Sequence, residues 1–133
     1  MAFAEFVRSI PILPVRDAVA MRDWYRDRLG FGVITSQDDP NLPPPGLGYV
    51  VLRRGNAEVH LQWQFERDMA GVEPRMIQMR FQLETGGVDA LFAEYSAAGV
   101  VPAGKSVRET IWGTREFAFH DREGYGLTFF EDR

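Results

Sequence analysis

The chain has 133 residues, with 45% hydrophobic and 26% charged side chains, values ordinary for one globular domain or two half-sized modules that share a core. A net charge of -4 with lysine nearly absent argues against a nucleic-acid surface, which needs a basic stripe. The absence of cysteine excludes disulfides, thiolate nucleophiles and cysteine-based zinc sites. The first residues carry no basic segment leading into an apolar run, and no stretch approaches the ~18 apolar residues of a membrane span. The expectation is a cytoplasmic protein with neither membrane nor nucleic-acid partner.

In chain order, residues 9–15 read as a strand. Asp17 then stands as N-cap to a helix, Ala18–Leu29, that carries Met21, Trp24, Tyr25 and Leu29 near one face and stops at Gly30. A strand follows over 31–35. Residues 38–48, with Pro40, Pro43, Pro44 and Pro45, cannot form a central strand because proline lacks the donor. Alternating strands over 49–53 and 58–64 flank Arg54-Gly55-Asn56, a hairpin turn. Residues 66–74 read as a linker.

The pattern then repeats. A strand over 76–83 alternates Ile77, Met79, Phe81 and Leu83 with Met76, Gln78, Arg80 and Gln82. Val88, Leu91, Phe92 and Tyr95 keep helical spacing, and this helix ends at Gly99, 69 positions after Gly30. A valine-led stretch follows. Glu123-Gly124-Tyr125 then separates strands over 116–120 and 127–130, again 69 positions after the first hairpin turn. Each half is therefore a strand, a helix and three strands. This is an α+β fold of two tandem βαβββ modules, about 7–65 and 75–133, within one domain. Curved sheets with apolar helix-facing sides and polar opposite sides make a cup of the kind that holds a small molecule.

Several segments resemble a known superfamily. Ile10-Pro11-Ile12-Leu13-Pro14-Val15-Arg16-Asp17, Trp24-Tyr25-Arg26-Asp27-Arg28-Leu29-Gly30-Phe31, Arg53-Arg54-Gly55-Asn56-Ala57-Glu58-Val59-His60-Leu61 and Gly113-Thr114-Arg115-Glu116-Phe117 through Gly124 resemble motifs of the vicinal-oxygen-chelate (glyoxalase/bleomycin-resistance/dioxygenase) superfamily. The bleomycin-resistance group is the closest in likeness. Arg122 and Tyr125 depart from its usual proline and asparagine, both in a turn.

In the superfamily's metalloenzymes, ligands come from the first and last strand of each half. The resemblance puts those positions at or near Ile10, His60, Gln78 and Thr128, of which only His60 is a strong ligand type. A family-type metal site is therefore not expected, no cofactor is implied, and no catalytic elbow, phosphate loop or dinucleotide fingerprint appears. The resemblance implies a homodimer that sequesters a cationic glycopeptide drug in crevices between subunits, with the N-terminal strand open to exchange. Candidate ligand-binding residues are Glu58, His60, Gln62, Trp63, Gln78, Arg80, Trp112, Thr128 and Phe130. Trp63 has the parity of the core rather than of His60, and an unpaired Arg80 would repel a cation. Two other readings stand beside this one: a metal-dependent lyase, isomerase or dioxygenase, and a small-metabolite sensor.

Overall fold

Two mixed four-stranded sheets, each backed by one long helix, make up the computed structural model, which describes residues 2–133. In the first sheet β1 (Ile12–Val15), β4 (Ala57–Trp63), β3 (Leu47–Arg54) and β2 (Gly32–Asp38) lie side by side in that order. In the second, β5 (Gln78–Gln82), β8 (Gly126–Asp132), β7 (Thr114–His120) and β6 (Arg108–Glu109) repeat it. The β1–β4 and β5–β8 pairs are parallel and the others antiparallel. The helix of each module thus carries the chain from one edge of its sheet to the other.

Helix α1 (Ala18–Leu29) begins where the Asp17 carboxylate accepts the Ala20 N–H at 2.9 Å, and ends at Gly30 with φ +75°. That backbone conformation strains any residue with a Cβ. Met21, Tyr25 and Leu29 are fully buried under the first sheet. Helix α3 (Gly87–Ala97) has no side-chain cap of its own. The buried Glu131 of β8 supplies one, accepting from the backbone N–H groups of Gly86 at 2.5 Å and Val88 at 3.1 Å.

One face of each sheet forms the core. Leu13, Val15, Val50, Leu52, Val59 and Leu61 come from the first, and Met79, Phe117, Phe119, Leu127 and Phe129 from the second. Each such side chain contributes about 1.5–3 kcal/mol by leaving water.

The modules are joined by reciprocal contacts. At the first hairpin turn Arg54 forks onto Glu94 of α3 at 2.6 and 2.9 Å and donates to the Leu29 carbonyl at 2.8 Å. At the second, Glu123 accepts the backbone N–H groups of Arg16 and Asp17 at 2.8 and 3.0 Å. The Tyr25 hydroxyl donates to Asp121 at 2.6 Å and the Tyr95 hydroxyl to the Leu29 carbonyl at 2.8 Å. The Tyr125 hydroxyl donates to the Pro14 carbonyl. Burial raises all three phenols, Tyr95 and Tyr125 to about 12.

The structure departs from the sequence-based expectation in four places. Regular pairing of β1 starts at Ile12 rather than Ser9, since Pro11 has no N–H and only its carbonyl is used, by the His60 N–H at 3.0 Å. The 66–74 linker contains a one-turn helix, α2 (Glu66–Met69), which buries Met69 completely. A 3-10 turn at Pro74–Met76 takes up the start of the strand expected at 76. Val100 and Val101 form no strand. They rest half-buried against the core, a turn at Pro102 follows, and the counterpart of β2 shrinks to the two residues of β6.

Candidate functional site

The face of each sheet turned away from its helix is open, and its residues are those out of phase with the core. On the first sheet the cross-strand rows are Arg53–Glu58, Val51–His60–Ile12 and Tyr49–Gln62–Pro14. The Tyr49 hydroxyl lies 2.7 Å from His60 Nδ1, and His60 Nε2 lies 2.8 Å from Glu58 Oε2. The other Glu58 oxygen accepts from Arg53 at 2.7 and 3.1 Å and from Arg8 at 2.9 Å. Bonding to Arg53, and then to His60, holds the Glu58 carboxyl down at about 2. Both nitrogens of His60 and both oxygens of Glu58 are therefore already committed within the chain.

On the second sheet the rows are Gln78–Gly126–His120, Arg80–Thr128–Ala118 and Gln82–Phe130–Glu116. Arg80 does not point unpaired into the face. Its guanidinium reaches diagonally across to Glu116 on β7 at 3.2 Å and lies 4.2 Å from the Phe130 ring centroid. Glu116 is buried, and the same oxygen also accepts the Thr114 hydroxyl at 2.9 Å. The charge that would have opposed a cationic ligand is thus balanced in place.

These faces hold Glu58, His60 and Gln62 on one sheet and Gln78, Arg80, Thr128 and Phe130 on the other. A cleft of about 820 Å³ between the modules brings Glu58 together with Gln78 and Arg80, bounded by Ser9, Pro11 and the first hairpin turn. That volume falls in the ordinary range for small-molecule sites. Trp63 is not part of this grouping. It lies on the helix side of β4, where its indole N–H donates to the Arg16 carbonyl at 2.9 Å and its ring meets Phe65 edge-on. Trp112 sits between β6 and β7, 61% exposed beside the fully exposed Ile111. Three polar residues of the open faces were missed in the sequence reading: Tyr49, Arg53 and Glu116. Alternation gives all three, since each is out of phase with a core neighbour, Val50, Leu52 or Phe117.

The donor set does not fit a metal of the superfamily's kind. The register partner of His60 on β1 is Ile12, Ile10 precedes the strand, and Gln78 and Thr128 belong to the other sheet. Among the described residues no three His, Asp or Glu side chains gather as a metal would require.

Two βαβββ modules, each with an open, polar sheet face opposite its helix, define a class of α+β protein with room for a small molecule on those faces. The model of the Glyoxalase/Bleomycin resistance protein/Dioxygenase superfamily matches residues 6–129, and the chain belongs to that family. The bleomycin resistance protein of Geobacillus stearothermophilus is 25% identical over 137 aligned residues, covering 94% of this chain and 96% of that protein. The Staphylococcus aureus protein of the same name matches equally well. Among solved structures, a bleomycin resistance determinant encoded on the transposon Tn5 superposes with a TM-score of 0.72 at 19% identity, covering 96% of this chain and 99% of the other. The bleomycin-binding protein of Streptomyces verticillus, solved with copper(II)-bleomycin, gives 0.69 at 22% identity, with 96% and 97% covered. No helix of the described residues is long and apolar enough to cross a membrane.

Proposed function

We propose that this chain is a metal-independent binding protein of the bleomycin-resistance type, which sequesters a glycopeptide-like antibiotic in crevices completed by a second copy of itself. The open face of the second sheet carries the reading most directly. An aromatic ring, a buried carboxylate and a balanced arginine stand together there, and among the described residues no metal ligand set competes for the space. Flat cationic drugs need such surfaces for stacking and for charge. The resemblance of the whole chain to bleomycin resistance proteins supports the same ligand class.

The homodimer rests on apolar surface without a cover. Phe3, Phe6 and Val7 of the N-terminal arm are 82%, 100% and 92% exposed, and Arg8 ties the arm to Glu58. Strand β5 is also a free sheet edge. Monomers rarely leave both features bare. An exchanged arm laid on a partner would cover the phenylalanines and wall the cleft.

Titration of tryptophan fluorescence with bleomycin tests the reading. Saturable quenching at micromolar drug or below is expected, reduced in Trp112→Phe because Trp112 is the exposed indole nearest the second sheet's rim. Emission indifferent to the drug up to millimolar concentration contradicts it.

A further inference from the structure

The contacts of Arg80 describe a site as well as a side chain. Its guanidinium, a planar delocalised cation, rests on the Phe130 ring with Cζ 4.2 Å from the centroid and places Nη2 3.2 Å from Glu116 Oε2. Ring face and carboxylate are neighbours in register across β8 and β7, whereas Arg80 reaches them from β5, whose residue beside Phe130 is Gln82. The receptor half of this arrangement is fixed. Glu116 is buried and held by the Thr114 hydroxyl, and Thr114 is held in turn by Thr110. The arginine half is loose. Its side chain is 44% exposed and, among the described residues, the ion pair to Glu116 is its one anchor besides the ring. Arg108, the register partner of Glu116 on β6, is exposed and makes no ion pair with it among the described residues.

We infer that Phe130 and Glu116 form a subsite for a planar cation of the guanidinium or amidinium class, and that Arg80 occupies it as an internal stand-in until such a group displaces it. A flat cation finds the same two partners that Arg80 uses: a π-face to stack on and a desolvated carboxylate oxygen to receive its N–H groups. Displacement costs the protein little, because the departing guanidinium moves into water at an already half-exposed position. This deepens the reading of the second sheet's open face as a ligand surface and names the part of a ligand that it takes.

The test uses benzamidine, an aromatic amidinium, titrated into the intact protein and followed by NMR. Arg80→Ala removes the stand-in, and Arg80→Met does so while keeping the aliphatic stem. Both are expected to bind benzamidine about tenfold more tightly than the unaltered protein, the factor set by losing a competing ion pair exposed on the arginine side alone and a cation–π contact. Adding Glu116→Gln, which still accepts from Thr114, is expected to remove the gain, and adding Phe130→Leu to weaken it, with unchanged far-ultraviolet dichroism confirming the fold. Equal or weaker benzamidine binding after loss of Arg80, or a gain that survives Glu116→Gln, overturns the subsite. Because the probe is not the drug, the two readings fail separately. A protein indifferent to bleomycin can still show the gain, and one that binds bleomycin can lack it.

Discussion

Tyr25→Phe removes one oxygen from the seam between the modules, and the structure allows its effect to be worked out. Tyr25 is fully buried and its hydroxyl donates to Asp121 Oδ2 at 2.6 Å, while Oδ1 accepts the backbone N–H groups of Glu123 and Tyr125, both at 3.0 Å. The ring stays, so packing is conserved and the loss is that of a hydrogen bond to a buried carboxylate. Such a bond is worth about 2 kcal/mol, and in a domain of this size it lowers Tm by roughly 6–10 °C. Burial raises the Asp121 carboxyl above its ordinary 3.8, and the Tyr25 hydroxyl opposes that rise. Between 3.8 and the folded value the native state holds a proton that the unfolded chain has lost, so stability falls as pH rises through this window. Without the hydroxyl the folded value climbs further and the fall grows. The destabilisation should therefore be largest near neutrality and drop to about 1 kcal/mol in acid, where a neutral hydrogen bond is all that is lost. Urea denaturation at about pH 3, below the window, and at about pH 8 measures both ends. A loss below about 0.5 kcal/mol, or one equal at the two pH values, refutes the reasoning.

Other outcomes follow from the same contacts. Glu131→Ala strips α3 of its cap and is expected to cost about 2–3 kcal/mol by urea denaturation, whereas a surface acid such as Glu84 should change stability negligibly. Leu127→Ala opens a cavity in the core under α3 and should cost about 2–5 kcal/mol in the same assay. Glu58 has a depressed folded value, so its contribution is complete above 4.5 and is lost as pH falls from there through about 2. Carboxyl-carbon NMR should find its midpoint near 2, and a midpoint at the ordinary 4.5 would mean that the ties to Arg53 and His60 do not persist in solution.

What the sequence made legible was governed by period and by turn chemistry. Asp17, Gly30 and the 3.6-residue spacing located α1 to the residue, because cap, stripe and stop all agree there. The duplication was readable from Gly30 and Gly99 and from the two hairpin turns. It now has a structural meaning: Arg54 and Glu123, at equivalent positions, each fasten the other module. The open face of each sheet could be read from alternation, which placed Glu58, His60, Gln62, Arg80, Thr128 and Phe130 opposite the core.

The illegible part was pairing. Nothing local to Arg80 announces that Glu116, 36 positions on, will neutralise it across two strands, nor that Tyr49 will bond His60. These are register facts, set by how strands meet. The late start of β1 and the collapse of the strand after α3 were hidden for a related reason. A valine run marks a half-buried surface, but strand pairing also needs donors, and prolines at 11 and 102 remove them.

The central claim is that ligand binding here needs no metal held by the protein. Calorimetric titration with bleomycin, on protein treated with a chelator and then freed of it, addresses that claim most directly. The expected result is binding at micromolar affinity or tighter, at about one drug per chain, unchanged from protein that never met the chelator. Binding that vanishes with chelation and returns with a stoichiometric transition metal added to the protein would contradict the account.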